Sequence, residues 1–279
     1  MDAAVGIVAQ RDNARAHELA ATLVETVERE YGSAPVVDEA TGDAIDARAV
    51  PVASMSACEL VVSIGGDGTL LFVARAVGST PILGVNLGEV GFLNAVDPAN
   101  AVDVVTDLLA GLQADTSLES RTLVRLRATG ADADWTLEPA LNEVLVHGPR
   151  RGHGGGATVA IDVDGKRYAE SDADGVLVAT PTGSTAYNLS EGGPLVDPSA
   201  DALVVTGMAA AEPMTPLVVD PFAAITLTVS DTDTAYVISD GRNRQRLEPP
   251  ATITVTLAEN PVHLVGPQTN FFEALEKLE

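Results

Sequence analysis

The sequence predicts a two-domain protein, an open parallel α/β domain followed by an antiparallel β-sandwich-like domain. In residues 1–118, short apolar runs alternate with segments whose apolar residues recur at helical spacing, an order typical of parallel strands covered by helices on both faces. Residues 119–266 instead contain short β-rich segments separated by turn residues, which favours antiparallel strands. Residues 267–279 show helical spacing again, and we expect this segment to return to the first domain.

Strands and helices alternate along the first domain. The third strand, Glu59–Ile64, is almost continuously apolar, as expected of a parallel strand buried on both faces, and it stops at two glycines. The first helix, Asn13–Tyr31, places Leu23 and Val27 on one face. The other predicted elements are strands at Val5–Ala9, Ala34–Val37 and Ile82–Val85 and helices at Thr69–Val77 and Ala99–Leu112.

The second domain consists of short predicted strands with turn signals between them. Such strands suit two sheets packed face to face. A short amphipathic helix, Phe271–Leu278, follows at the end of the chain. The predicted strands are Leu123–Ala128, Glu143–Val146, Thr158–Val163, Gly175–Ala179, Leu203–Thr206, Ile225–Val229, Tyr236–Ile238 and Thr252–Leu257.

The charge balance is strongly acidic. The 279 residues include 40 acids and 16 bases, a formal net charge of −24, and Lys166 and Lys277 are the only lysines. We interpret this as adaptation to molar salt, where the Debye length falls to about 3 Å; an ordinary acidic cytosolic protein is the alternative. An acidic surface repels nucleic acid and anionic lipid, so we expect neither as a partner. A phosphate-rich ligand must then be held by backbone amides and a few arginines.

Cysteine and histidine usage bears on the compartment and on metal binding. The single cysteine, Cys58, cannot form an internal disulfide, and the amino terminus lacks the basic start of a signal peptide. No apolar stretch approaches the roughly 18 residues that span a bilayer. We therefore expect a cytoplasmic protein. The histidines are scattered without the spacing of zinc ligands.

A glycine-rich loop, Gly65–Thr69, follows the third strand and opens a helix. Backbone amides at a helix amino terminus bind phosphate well, and glycine lets the phosphate approach closely. Asp67 in the middle of the loop would repel a phosphate unless the carboxylate accepts a proton or holds a metal. The loop therefore indicates a phosphate site at which Asp67 has a role beyond simple phosphate binding, although a glycine-rich turn with Asp67 as helix cap is the alternative.

A second motif, Ala179–Ser190, concentrates hydroxyl side chains after another apolar strand and is followed by Gly192-Gly193-Pro194. Hydroxyls at a turn can bind a ribose or an amide, or they can cap a helix. Capping explains one or two of them, but it does not explain so many hydroxyls followed by a tyrosine and a second glycine pair.

These motifs together resemble the NAD kinase family. The resemblance covers nearly the whole chain, although the Gly65–Thr69 loop alone is also similar to phosphofructokinases and to lipid kinases. The Thr180–Tyr187 stretch separates the NAD kinases from those families. The further family motifs are Asn86-Leu87-Gly88, Gly91-Phe92-Leu93, Asn142-Glu143, Asp174-Gly175 and Asp240-Gly241.

The resemblance implies a reaction and a set of site residues. The protein would transfer a phosphoryl group from ATP, another nucleoside triphosphate or polyphosphate to the 2′-hydroxyl of the adenosine ribose of NAD, with Mg²⁺ or another divalent cation, as a homodimer or homotetramer. Asp67 would be the general base, and Gly66, Gly68 and Thr69 would lie near the donor phosphates. The implied NAD-binding residues are Phe92, Asn142, Glu143, Asp174, Thr182, Thr185, Ala186, Tyr187 and Ser190.

The chain departs from the family at two places. Many members carry a proline-histidine-serine segment that ends in arginine-proline, where this chain reads Ala211–Pro216. Many also carry a basic or polar residue two positions before the aspartate of Asp174-Gly175, where this chain has Asp172. The missing histidine and arginine make a non-catalytic sensor that binds NADP an alternative to the kinase. A lipid kinase or a phosphatase that shares the superfamily fold is a further alternative.

A short basic loop, Pro149–Gly156, stands out in so acidic a chain because it contains Arg150 and Arg151. It is either a flexible hairpin between two strands or a mobile clamp on the donor phosphates.

Overall fold

The computed structural model describes residues 5–88, 91–114, 116–131, 134–150, 156–212, 214–268 and 270–276. The chain divides into two compact units. One comprises the chain up to Leu123 together with the segment from Asn260 onward, and the other comprises Val124–Glu259. None of the helices in these ranges is long and apolar enough to cross a bilayer.

The first unit is built on a seven-stranded sheet with the order β3-β2-β1-β4-β5-β18-β6. Its strands are β1 (Val5–Ala9), β2 (Val36–Asp38), β3 (Ala49–Val50), β4 (Leu60–Gly65), β5 (Ile82–Asn86), β6 (Ser120–Leu123) and β18 (Val262–Val265), and its helices are α1 (Ala14–Tyr31), α2 (Glu39–Ile45), α3 (Asp67–Ala76), α4 (Ala101–Gln113) and α6 (Phe271–Glu276). All neighbouring strands are parallel except β18 and β6, which are antiparallel.

Burial explains why these segments fold as they do. Every residue of β1 and β4 is buried, as expected of parallel strands with helices on both faces. Helix α1 begins after Asn13, whose side chain accepts a hydrogen bond from an amide of the first turn, and its buried face includes Leu23 and Val27. The helix ends at Gly32, where a positive φ of 68° favours glycine.

The position of the glycine-rich loop follows from the strand order. Strands β1 and β4 are neighbours, but the chain leaves β1 toward β2 and leaves β4 toward β5, on opposite sides. Ligands of open α/β sheets bind at the carboxyl ends of the strands where the order reverses in this way. Gly65–Thr69 lies at this end of β4, so the topology places the loop at the expected ligand site of the first unit.

The second unit contains two antiparallel sheets. The five-stranded sheet has the order β10-β9-β14-β17-β7, and the six-stranded sheet has the order β13-β12-β11-β8-β15-β16. The strands are β7 (Leu126–Gly130), β8 (Glu143–His147), β9 (Ala157–Val163), β10 (Lys166–Ala173), β11 (Gly175–Ala179), β12 (Leu203–Met208), β13 (Leu217–Val219), β14 (Ile225–Ser230), β15 (Ala235–Ser239), β16 (Asn243–Leu247) and β17 (Ala251–Leu257), with one short helix, α5 (Tyr187–Ser190).

The two sheets share one apolar core. Val144 and Val146 of the six-stranded sheet belong to the same buried cluster as Ile161, Leu227 and Ile253 of the five-stranded sheet. The predicted fold class, an α/β domain followed by an antiparallel β-sandwich, is therefore confirmed.

One predicted strand was wrong. The segment Leu123–Ala128 forms two strands instead of one, because the chain passes from the first unit to the second between Leu123 and Val124. Strand β6 belongs to the seven-stranded sheet, and β7 belongs to the five-stranded sheet. Contacts divide the chain after Leu123 and after Glu259, whereas the sequence placed the boundaries after residues 118 and 266. The difference arises because β6 and β18 pair with each other at the edge of the first sheet.

Several short elements were not predicted, and most of them lie at sheet edges. Strands β10, β13 and β16 are edge strands of the second unit. Edge strands are exposed along one side and are often polar, so they lack the alternation that marks a half-buried strand. Helix α2 was missed as well, since it is only seven residues long and contains Gly42.

Candidate active site

The glycine-rich loop forms a tight connection between β4 and α3. Gly66 caps the helix, and its carbonyl accepts a hydrogen bond from the Thr69 amide at 2.9 Å. A Cβ on Gly65 would lie 2.5 Å from the Thr69 hydroxyl, so only glycine fits there. A Cβ on Gly66 or Gly68 would meet no other atom within 4 Å. The loop therefore leaves open space beside the two glycines that the sequence assigned to the donor phosphates.

Asp67 is the first residue of α3, and its carboxylate is held by the segment that follows β5. Oδ2 accepts a hydrogen bond from the Phe92 amide at 3.0 Å. Oδ1 accepts one from the Leu93 amide at 3.3 Å and one from Nδ2 of Asn94 at 2.9 Å. These donors fix the orientation of the carboxylate. The N-cap of α3 is Gly66 and not Asp67, so the alternative in which Asp67 is a helix cap was wrong.

Asn94 is a residue of this site that the sequence analysis missed. Its side chain is only 2% exposed, and the carboxylate partner identifies the atom that faces Asp67 as the amide nitrogen, since a carboxylate accepts and does not donate. Its Oδ1 is buried without a hydrogen-bond partner among the described residues, and it would lie 2.5 Å from a Cβ on Gly84. A polar residue directly after the Gly91-Phe92-Leu93 motif was the available signal.

Phe92 contributes its backbone amide to this arrangement, while its half-buried ring packs on the last helix. The ring centroid lies 6.1 Å from that of Phe271 in α6. The role of the Phe92 ring in dinucleotide binding stays a prediction.

In the second unit, Asn142 and Glu143 lie at the start of β8, and the Asp240 carboxylate accepts three backbone amides there. The donors are Leu141 at 2.8 Å, Asn142 at 2.8 Å and Glu143 at 3.2 Å. Glu143 is buried, whereas Asn142 is partly exposed. The sequence noted Asp240 as part of a family motif without giving it a role, and the structure places it against two of the predicted NAD-binding residues.

Two hydroxyls of the hydroxyl-rich segment form hydrogen bonds with the backbone of neighbouring segments. The Thr180 hydroxyl donates to the Leu141 carbonyl at 2.6 Å. The Ser184 hydroxyl bonds both the amide and the carbonyl of Val196, at 3.0 and 3.1 Å. Thr180 and Ser184 thus fasten the turn to neighbouring segments, a structural use of hydroxyls that the sequence did not predict.

Asn188 has a similar structural role within this motif. It is fully buried, donates to the carbonyls of Ser184 and Pro194, and accepts a hydrogen bond from the Thr206 hydroxyl at 2.7 Å. A Cβ on Gly193 would collide with the Asn188 side chain, which explains the glycine at position 193.

The predicted NAD-binding residues of this motif surround that scaffold. Thr182 is buried in a 3₁₀ turn, and the next residue, Gly183, packs so closely on the Asn142 carbonyl that a Cβ would collide with it. Tyr187 packs on the buried cluster that includes Leu145. Of the other predicted residues, Thr185 and Ala186 are partly exposed and Ser190 is exposed.

Asp174 lies apart from this group, on a cavity of about 660 Å³ in the second unit. The acidic residues Asp172, Asp174 and Asp231 line the cavity together with the alanines at 209–211. None of the other predicted NAD-binding residues lines it.

Both parts of the chain are similar to known protein families. Residues 5–112 match the ATP-NAD kinase N-terminal domain, and residues 141–266 match the ATP-NAD kinase C-terminal domain. An NAD kinase from Haloarcula marismortui is 54% identical over 98% of this chain and 99% of its own length. An NAD kinase from Natronomonas pharaonis is 50% identical over 99% of both chains. The chain belongs to the NAD kinase family. It is therefore a kinase, and the resemblance stated above is confirmed.

Solved structures of NAD kinases share the fold. A yeast NADH kinase complexed with NADH has a TM-score of 0.86 and 22% identity, and the match covers 99% of this chain and 87% of the yeast chain. An NAD kinase from Archaeoglobus fulgidus in complex with ATP has a TM-score of 0.77 and 24% identity over 99% of both chains. At these identities the likeness concerns the fold.

In this member of the NAD kinase family, the predicted site residues form two main groups. Gly66, Asp67, Gly68, Thr69 and Phe92 lie together in the first unit. Asn142, Glu143 and the Thr182–Tyr187 segment lie together in the second unit. Residues 151–155 of the basic loop lie outside the described residues, so both interpretations of that loop stay open.

Proposed function

We propose that the protein transfers the terminal phosphoryl group of ATP to the 2′-hydroxyl of the adenosine ribose of NAD and so makes NADP. The observation that carries this proposal is the Asp67 carboxylate, oriented by Phe92, Leu93 and Asn94. It lies at the start of α3, where Gly66 and Gly68 leave open space. Family membership and the ATP complex of the archaeal relative support ATP as the donor.

The hydrogen-bond count at Asp67 indicates which oxygen receives the proton. Each carboxylate oxygen can accept two hydrogen bonds. Oδ1 accepts two from the described residues and Oδ2 accepts one, so Oδ2 keeps an acceptor position for the ribose hydroxyl. As the proton moves to Oδ2, the ribose oxygen bonds to the γ-phosphorus, the bond to the β–γ bridging oxygen breaks, and ADP leaves.

Charge on the donor requires neutralisation. Among the described residues there is no group of three or more His, Cys, Asp and Glu that could cage a metal ion. This fits Mg²⁺, which binds through one or two carboxylates and the substrate phosphates. Mg²⁺ would neutralise charge on the phosphates and would be held mainly by the phosphate oxygens, which leaves Oδ2 of Asp67 for the ribose proton. The amides of Gly66, Gly68 and Thr69 would contact the phosphates directly.

The acceptor side of the reaction is assigned to the second unit. Asn142 and Glu143 would contact the adenosine part of NAD, with the segment from Thr182 to Ser190 completing the site. Asp174 would accept a hydrogen bond from the nicotinamide carboxamide. Gly183 packs closely on Asn142, which supports a single NAD-binding surface formed by Asn142, Glu143 and the segment that contains Gly183.

We also propose that the protein works in the cytoplasm as a homodimer or homotetramer. Apolar surface near the edge strand β13 supports self-association, since Val218 is 53% exposed and Phe222 is 82% exposed. Light scattering of the purified protein in molar KCl would give the oligomeric state.

A single assay tests the proposed reaction. The purified protein is incubated in molar KCl with NAD, Mg²⁺ and either ATP or polyphosphate, and NADP is measured with an NADP-specific dehydrogenase. NADP formation with ATP is expected. If no donor gives NADP while calorimetry detects tight NADP binding, the protein is a sensor and the proposal fails.

A further inference from the structure

Two Asp-Gly turns in the second unit share one local geometry. Asp164 and Asp240 both have a positive φ, 48° and 45°, and each is followed by a glycine that also has a positive φ. The Asp164 amide donates to the Ala224 carbonyl at 3.0 Å, and its carboxylate accepts from the Ala224 amide at 2.9 Å. The Asp240 amide and carboxylate bond Glu143 in the same way, at 3.0 and 3.2 Å. Both turns fasten a hairpin to another segment.

Asp240 differs from Asp164 in what it holds. Its carboxylate also accepts the amides of Leu141 and Asn142, both at 2.8 Å. It therefore binds consecutive amides of a segment that contains two predicted NAD-binding residues. Ala224, the partner of Asp164, belongs to no predicted site.

The carbonyls of this segment are held as firmly as its amides. Thr180 donates its hydroxyl to the Leu141 carbonyl at 2.6 Å and its amide to the Asn142 carbonyl at 2.9 Å. The Glu143 carbonyl accepts the Asp240 amide. Every backbone donor and acceptor of residues 141–143 is thus hydrogen-bonded to Asp240 or Thr180. These two residues therefore determine the backbone position from which the Asn142 and Glu143 side chains extend.

A buried arginine lies behind Asp240. Arg125 is only 5% exposed, and burial lowers the pKa of its guanidinium from the ordinary value, while the Asp240 carboxylate raises it. A carboxylate at position 240 therefore also compensates a buried positive charge.

We propose that Asp240 is a positioning residue for the NAD site, acting through Asn142 and Glu143. The inference rests on the proposed function, because it takes Asn142 and Glu143 as contacts of the acceptor. Displacement of these residues by a fraction of an ångström weakens their contacts with NAD and leaves the donor loop in the other unit unchanged. The expected signature is a selective rise in the KM for NAD.

Asp164 supplies the matched control for the test. We would compare Asp240→Asn, Asp240→Ala and Asp164→Asn in the full-length protein at molar KCl, measuring thermal unfolding and the KM values for NAD and ATP. Asn keeps one carbonyl oxygen for the amides and Ala keeps none, so the effect of Ala should exceed that of Asn. A misplaced contact can cost on the order of 10²-fold in kcat/KM. We expect a loss approaching that for NAD in Asp240→Ala, an unchanged KM for ATP, and no change in either KM for Asp164→Asn.

Two outcomes would overturn the proposal. One is an equal rise in the KM values for NAD and ATP in Asp240→Asn. The other is that the KM values of Asp240→Asn equal those of the control variant Asp164→Asn. If the Asp240 variants fail to fold, Thr180→Val with Thr180→Ser as its control carries the same test, since the serine keeps the hydroxyl. If the wild type makes no NADP, the proposed function fails, and the positioning role of Asp240 is tested separately. Calorimetry would then compare NADP binding by Asp240→Asn and Asp164→Asn. Weaker binding by Asp240→Asn, with unchanged binding by Asp164→Asn, would support the proposal.

Discussion

The side chain of Asn94 donates a hydrogen bond to the Asp67 carboxylate over 2.9 Å, although 27 positions separate the two residues in the chain. The amides of Phe92 and Leu93 complete the contact, so one short segment after β5 determines the orientation of the proposed base. Hydrogen bonds to a charged group contribute about 1.5–3 kcal/mol each, which is enough to affect turnover measurably.

Replacing Asp67 by Asn should lower turnover about 10²- to 10⁴-fold, the usual contribution of a positioned general base. Asn keeps the shape and one acceptor oxygen but cannot take the ribose proton. NAD binding and thermal unfolding should stay close to wild type. Calorimetry with NAD and a coupled NADP assay would measure both effects. Turnover near that of the wild type would remove Asp67 from the mechanism.

Asn94→Leu should lower kcat about tenfold to hundredfold, the range that corresponds to loss of one hydrogen bond to a charged group. The melting temperature should change little, because leucine keeps the branched shape of the side chain and removes the buried Oδ1 that lacks a partner among the described residues. Asn94→Asp is the contrasting variant, since it places a second carboxylate beside Asp67 and should reduce kcat further. Equal kcat values in the wild type and Asn94→Leu would show that the two amides suffice.

Gly68→Ala should weaken donor binding without weakening the fold. The new methyl group would meet no protein atom within 4 Å, and alanine favours a helix over glycine by about 1 kcal/mol. It would occupy the space through which we propose the phosphate approaches. The KM for ATP should rise and the KM for NAD should not, in steady-state measurements that vary each substrate separately. A variant with an unchanged KM for ATP would place the donor elsewhere.

Folding and activity should both require salt near molar concentration. The net charge of −24 causes self-repulsion, which is screened when the Debye length falls from about 10 Å at 0.1 M to about 3 Å at 1 M. Circular dichroism and NADP formation would be followed between about 0.1 and 3 M KCl at constant Mg²⁺, a range over which the screening of charge changes strongly. The folded fraction and the rate of NADP formation should rise together as KCl increases. Full stability in dilute buffer would require another explanation for the acidic composition.

The sequence by itself determined the features that depend on neighbouring residues. The apolar run of β4, the glycines after it and the helical spacing of α3 are contiguous, so they predicted the strand, the loop and the helix around Asp67. The hydroxyl-rich motif could be recognised in the same way, and the acidic composition required only a count of residues. The motifs sufficed for the family because each is complete within a short stretch of chain, and the order of strands and helices along the chain sufficed for the fold class.

Only the tertiary structure decided which side chains act on one another across the chain. Asn94 reaches Asp67 because β5 lies beside β4, and Asp240 reaches Asn142 across 98 positions because β15 pairs with β8. The edge strand β16 left no apolar pattern to detect, and the pattern at Leu123–Ala128 did not show that the chain passes between units after Leu123. Hydrogen bonds of this kind depend on the pairing of distant strands, and spacing along the sequence carries no record of which strands become neighbours.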